Sequence, residues 1–190
     1  MRSFSTSDGT SSVGVTLKNF LETLKLLLRQ RRRHMCSILF VCTGNIFRSM
    51  TAAYALQKMM SKENYYQVDS AGISIRSMTV KCSVRKYLKK RGVDISGHQP
   101  KQIVQSIFFA SDLVIAMGLD HRDWIEDQFG VRVPLFNEIC YNHTEPVLDL
   151  HEAIPNQASI EDSDFYIYNT IKFIFDSTPY LINNIHRYIT

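Results

Sequence analysis

"LFVCTGNIFRSMTAAYAL", residues 39–56, puts a cysteine at the end of an apolar run, an arginine six positions later and a helical pattern straight after. The run from Ser37 to Cys42 reads as a strand buried on both faces, and Met50 to Lys62 reads as a helix. A loop leaving the carboxyl end of such a strand is where α/β folds place their ligands. Gly44 gives that loop conformational freedom, so the N–H groups from Thr43 through Arg48 can curl into a nest, backed by the positive end of the next helix. The result is an oxyanion holder. A phosphate would meet the Cys42 sulfur from below and a bidentate Arg48 guanidinium from the side. A bare Cys-x5-Arg is a weak motif, and a cysteine ending a strand also reads as a small buried hydrophobe. The preceding strand, Gly44-Asn45 within the loop, Ser49 after the arginine and the following helix carry the phosphate-loop reading. The Gly-Lys-Ser/Thr ending of a nucleotide P-loop is missing, which excludes that class.

Working outward, apolar strands are predicted at Tyr66 to Ser70, Asp112 to Met117 and Val131 to Phe136. Helices are predicted at Val80 to Arg91, with Gly92 as its stop, and at Leu119 to Phe129. A long C-terminal helical region is capped by Asp162 or Ser163 and should be kinked or divided by Pro179. The alternation predicts an α/β, three-layer sandwich: a four-stranded parallel sheet flanked by helices, with the phosphate-binding loop after the first strand.

Charge separates the first residues from the rest. The 190-residue chain carries +4, but residues 1–36 hold seven Lys/Arg against two Asp/Glu, a balance of +5 that leaves the remainder at −1. That distribution argues against a nucleic-acid partner. Thr16 to Arg33 spaces Leu17, Phe20, Leu21, Leu24, Leu27 and Leu28 as an amphipathic helix, and its end carries Arg29, Arg31, Arg32 and Arg33. It is too short and too charged to span a membrane, and suits docking on the domain itself, a protein partner or an anionic membrane surface. The expected division is an extension over 1–34 and a domain over 35–190. Four cysteines (Cys36, Cys42, Cys82, Cys140) without metal spacing, and no secretory signal pattern, point to a reducing cytoplasm.

"VCTGNIFRS" resembles the signature loop of the low-molecular-weight protein tyrosine phosphatases. The likeness extends to "VDSAG" (68–72), "KKRGVDISGHQPKQI" (89–103), "DLVIAM" (112–117) and "EDSDFYIYNTIKFIF" (161–175). It implies an enzyme without metal or cofactor, acting on phosphotyrosine-containing proteins. Cys42 attacks phosphorus to give a cysteinyl-phosphate, which water hydrolyses, while Arg48 stabilises the equatorial oxygens. Thr43, Gly44, Asn45, Ile46 and Phe47 form the loop around the phosphate. Ser49 resembles the hydroxyl that bonds the sulfur, and Asn45 the residue that holds the loop through Ser49, Ser70 and His98. Asp149 matches the family's general acid, with His151 and Glu152 as substitutes.

Several positions depart from the family pattern. Leu150 replaces the proline of the family's Asp-Pro pair, which should loosen the acid loop. Phe47 stands where most members have a second cysteine, so oxidised Cys42 has no adjacent resolving thiol. Met50 and Ala53 replace a usual proline and glutamate, and Gly118 stands where an aspartate is common. Ile46 suits an aromatic ring, whereas members acting on phosphoarginine carry threonine there. Arg76 and His151 sit where the family tends to have aromatics; Arg76 would either favour an acidic residue beside the phosphotyrosine or be merely solvated. The alternatives are a catalytically silent phosphotyrosine-binding module and an arsenate reductase, which needs two further cysteines at a separation Cys82 and Cys140 do not provide.

Overall fold

In the computed structural model, the described residues are 35–60, 65–154 and 159–189. The predicted helix over 16–33 and the last residues of the helix predicted to reach Lys62 lie outside them. Strand β1 (Cys36–Cys42) is central. It pairs in parallel with β2 (Tyr66–Gly72) on one side and β3 (Leu113–Ala116) on the other, in the order β2-β1-β3. The two-residue alternation of a strand splits the core in two. Ile38, Phe40 and Cys42, with Leu113 and Ile115, face one layer, whereas Leu39 and Val41, with Val114 and Ala116, face the other.

The first layer contains α1 (Arg48–Met59), α2 (Cys82–Lys90), α5 (Phe136–Tyr141) and α7 (Ile160–Asn184), which contribute Leu56, Leu88, Ile139 and Ile171 to that core. The second contains α3 (Gln105–Phe109) and α4 (Leu119–Phe129), which contribute Phe108 and Ile125. A short α6 (Leu150–Ala153) lies between α5 and α7 in the chain. The described residues therefore form a parallel α/β sandwich of three layers, as β-strands buried on both faces require.

The sheet has three strands among the described residues, not four. The segment predicted as the fourth, Val131 to Phe136, touches the sheet only through a single parallel bridge, Ala116 to Leu135. Pro134 explains this: it has no N–H to donate to a ladder, and its carbonyl instead accepts the Ala116 amide. Phe136 then opens α5, with Glu138 reaching back to the Leu135 amide at 2.8 Å.

The C-terminal helix also differs from its prediction. Its cap is Ser159, whose Oγ accepts the Asp162 N–H at 3.0 Å, so Asp162 is the third helical residue and not the cap. Pro179 lies inside a helix that runs on to Asn184. An internal proline costs about 3 kcal/mol. Ile167, Ile171, Ile174 and Leu181, each buried, offset that at about 1.5–3 kcal/mol apiece. Helix α2 ends before Gly92, which adopts φ +67°, and Val93 N–H closes the turn on Leu88 C=O. Among the described residues no helix is long and apolar enough to cross a membrane.

Candidate active site

The loop of residues 43–47 joins the carboxyl end of β1 to the first turn of α1. Asn45 makes its tightest turn, at φ +54°, a left-handed conformation that asparagine tolerates better than most residues. Its side chain is fully buried. Nδ2 donates to Ser49 Oγ (3.2 Å) and Ser70 Oγ (2.8 Å), while Oδ1 accepts the Lys101 amide (3.1 Å). The Asn45 carbonyl meets His98 Nε2 at 2.7 Å, which makes that nitrogen the donor. Burial lowers the His98 pKa, so the ring is a neutral donor. The structure thus brings Asn45, Ser49, Ser70 and His98 together, and adds Lys101, whose backbone contribution no side-chain motif could reveal.

Gly72, at the end of β2, lets the loop lie this close. A Cβ there would sit 2.6 Å from Thr43 O and 2.9 Å from Asn45 N, so any side chain would push the loop backbone away. Beneath the loop, the buried Cys42 Sγ lies 3.0 Å from Ser49 Oγ. Ser49 has one hydroxyl proton and two acceptors for it, Cys42 Sγ and, at 3.3 Å, the Ala71 carbonyl. A sulfur carrying negative charge would draw that proton. Among the described residues, the amides of Gly44 through Arg48 are not spent on backbone carbonyls, which leaves them available to an anion.

Arg48 is 1% exposed, yet its guanidinium reaches the mouth of the loop. One terminal nitrogen donates to Asp149 Oδ2 (2.7 Å) and Thr43 Oγ1 (3.2 Å); the other donates to Val147 O (2.9 Å) and approaches Glu152 Oε2 (3.5 Å). Its Nε is buried without a partner. Asp149 caps α6: its Oδ1 accepts the Leu150 amide at 2.6 Å, and its own amide donates to Glu152. His151 is exposed, with Nδ1 3.9 Å from Asp149 Oδ1.

Behind Thr43 stands His121, which reading the loop alone does not find. Its Nε2 lies 2.9 Å from Thr43 Oγ1. Arg48 donates to that same oxygen, so the Thr43 hydroxyl links the imidazole to the guanidinium, while His121 Nδ1 is buried without a partner. Burial, and then the charge of Arg48, press the His121 pKa down to about 3, against the opposing pull of Glu152 and Asp149. The Gly118 position explains the fit of this ring, since a Cβ there would come within 2.8 Å of His121 Nδ1.

Residues 37–166 match the family described as low molecular weight phosphotyrosine protein phosphatase. The chain belongs to this family. Among curated relatives, arsenate reductase 2 of Staphylococcus epidermidis is 37% identical over 84 residues, covering 44% of this chain and 61% of that protein. The low molecular weight protein-tyrosine-phosphatase Ptp of Acinetobacter johnsonii is 33% identical over 93 residues, covering 47% of this chain and 62% of that protein. The chain therefore spans about three fifths of the curated relatives it matches. The crystal structure of the low molecular weight protein tyrosine phosphatase from T. tengcongensis superposes with a TM-score of 0.66 at 25% identity, covering 78% of this chain and 98% of that one.

On this family frame, the loop opens into a cavity of about 440 Å³. Thr43 and Gly44 line it beside the apolar Ile46, Leu150, Ile154 and Ile167, while Arg76, Lys81 and His151 supply its basic groups. Phe47, at the position of the family's second cysteine, is 8% exposed and belongs to the core packed around α1. Burial makes two of the other thiols, Cys36 and Cys140, poor nucleophiles. Burial raises the Cys140 pKa to about 12, and burial together with Asp112 raises that of Cys36 to about 11. Cys82 is exposed at the start of α2. Among the described residues no cluster of His, Cys, Asp or Glu could hold a metal ion.

Proposed function

We propose that this chain hydrolyses phosphotyrosine and related aryl phosphate monoesters through a cysteinyl-phosphate intermediate. The observation that carries the reading is the set of groups gathered at one loop: Ser49 Oγ 3.0 Å from Cys42 Sγ at its floor, with Arg48 and Asp149 paired at 2.7 Å. Phosphate oxygens would take the loop amides and the free Arg48 Nε, together with the Arg48 nitrogen now bonded to Asp149. Sulfur attacks phosphorus, the phosphorus–oxygen bond to the aryl group breaks, and Asp149 gives its proton to the departing phenolate. Asp149 then removes a proton from water as that water displaces Cys42. Ser49 O–H steadies the sulfur as it leaves, and the Asn45, Ser70 and His98 bonds keep the amides aimed at the phosphate.

Ile46 and the other apolar walls suit the aromatic ring. The arsenate reductase reading has support in the names of relatives, but it requires two further thiols, and Cys140 is buried and held protonated. We also propose that residues 1–34 are an N-terminal extension to a domain over 35–190, and that segment 16–33 docks on the domain itself, a protein partner or an anionic membrane in the cytoplasm. Turnover of p-nitrophenyl phosphate by wild type, abolished in Cys42→Ser with phosphate still bound, is the expected result. Equal behaviour of the two proteins would leave a binding module instead.

A further inference from the structure

The most one-sided charge in the described part of the chain runs along α2 and its flanks. Residues 81–91 hold six Lys/Arg and no carboxylate. Lys81, Arg85 and Lys89 follow one another at four-residue intervals, which puts them on one helix face, and all three are exposed. Lys81 lines the cavity over the Cys42 loop. Arg85 and Lys89 line a second cleft, of about 490 Å³, whose other wall is the turn of residues 92–96. The row therefore connects the two depressions. Asp94, the carboxylate in that second cleft, already accepts the Ser96 amide (2.9 Å) and hydroxyl (3.1 Å). Lys86, by contrast, points to Asp164 at 4.0 Å and is not part of the row. Arg76 adds a further exposed cation at the rim of the first cavity.

We propose that the substrate is a phosphotyrosine segment with acidic residues to one side of the phosphotyrosine, lying along Lys81, Arg85 and Lys89. This inference rests on the phosphatase reading of the same cavity. From Lys81 to Lys89 the helix rises about 12 Å, at roughly 1.5 Å per residue. An extended chain covers that in about four residues, at roughly 3.3 Å each. The acidic positions therefore fall within the four residues next to the phosphotyrosine. Both depressions are concave, which fits a narrow chain better than the plane of a membrane.

The test uses the full chain and two synthetic phosphotyrosine peptides, one with glutamate at the four positions on each side and one with glutamine there. The glutamate peptide is expected to show about tenfold higher kcat/KM at low salt, with the advantage shrinking as salt rises. The double variant R85E/K89E, altered outside the catalytic cavity, should keep wild-type turnover of p-nitrophenyl phosphate and lose the preference. Equal kcat/KM for the two peptides in wild type, or a preference unmoved by the double variant, would overturn the inference. If p-nitrophenyl phosphate is not turned over, the phosphatase reading fails by itself. Fluorescence anisotropy with the same peptides then decides the inference, and equal affinities sink it. Binding to phosphatidylserine vesicles that depends on Arg85 and Lys89, with no peptide preference, would make the row a membrane contact and also overturn the proposal.

Discussion

Acidification should destabilise this fold through the imidazoles of His98 and His121, and His121 carries the larger shift. His121 is fully buried, and its pKa in the folded chain is about 3, against about 6.5 when unfolded. Between those values the unfolded chain binds a proton that the folded chain refuses, so stability falls as pH drops below about 6.5 and continues to fall toward pH 3. At pH 5, about 1.5 pH units below the unfolded value, the loss at about 1.36 kcal/mol per unit comes to about 2 kcal/mol. At neutral pH it is negligible. Urea titrations at pH 7 and pH 5, on wild type and on His121→Gln, isolate the contribution, because the glutamine amide offers Thr43 a donor and an acceptor without titrating. Wild type should lose about 2 kcal/mol more than the variant between the two conditions. Equal pH dependence in the two proteins would refute the reasoning, whatever the absolute stability of the variant.

Asp149→Ala should slow phosphotyrosine turnover about a hundredfold or more while affecting p-nitrophenyl phosphate far less, since that leaving group needs little protonation. A leaving-group series in stopped-flow or steady-state assays distinguishes this from an equal loss on both, which would move the acid role to Glu152 or His151. Gly72→Ala should lower stability by about 1–3 kcal/mol and reduce turnover, because its Cβ meets Thr43 O at 2.6 Å; a wild-type melting temperature would show that the loop can yield.

The parts of the fold governed by local chemistry could be read from the sequence. Continuous apolar runs marked β1 and β3, and Leu119 to Phe129 became a helix over the range predicted. Val131 to Phe136 misled because its apolar composition is that of a strand while Pro134 denies it a ladder. Pro179 does not divide the helix, since burial along α7 outweighs a local penalty that no neighbour in sequence can reveal. In the site, Cys42, Arg48 and Ser49 are close in sequence and their spacing announces them. His121 and Lys101 are not, and they enter through a ring behind Thr43 and a backbone amide, neither of which leaves a spacing signal.

Leu150 shows what the missing proline changes. It is the first residue of α6, a position where a helix needs no N–H and proline is well accommodated. Asp149 before it already has φ −82° and ψ 166°, the extended conformation that a following proline demands. The backbone is held in the conformation an Asp-Pro pair requires, by the Asp149 and Glu152 capping box and by Arg48. The substitution instead adds a donor: the Leu150 amide occupies Asp149 Oδ1 at 2.6 Å, while Arg48 occupies Oδ2. To protonate a leaving phenolate, Asp149 must give up one of these bonds. Leu150→Pro removes the amide without asking the backbone to move, so its stability in urea should match wild type within about 1 kcal/mol. Turnover of phosphate esters with poor leaving groups should rise relative to p-nitrophenyl phosphate. A fall in that ratio, or a variant that unfolds, would mean that the Leu150 N–H bond places Asp149 for catalysis instead of restraining it.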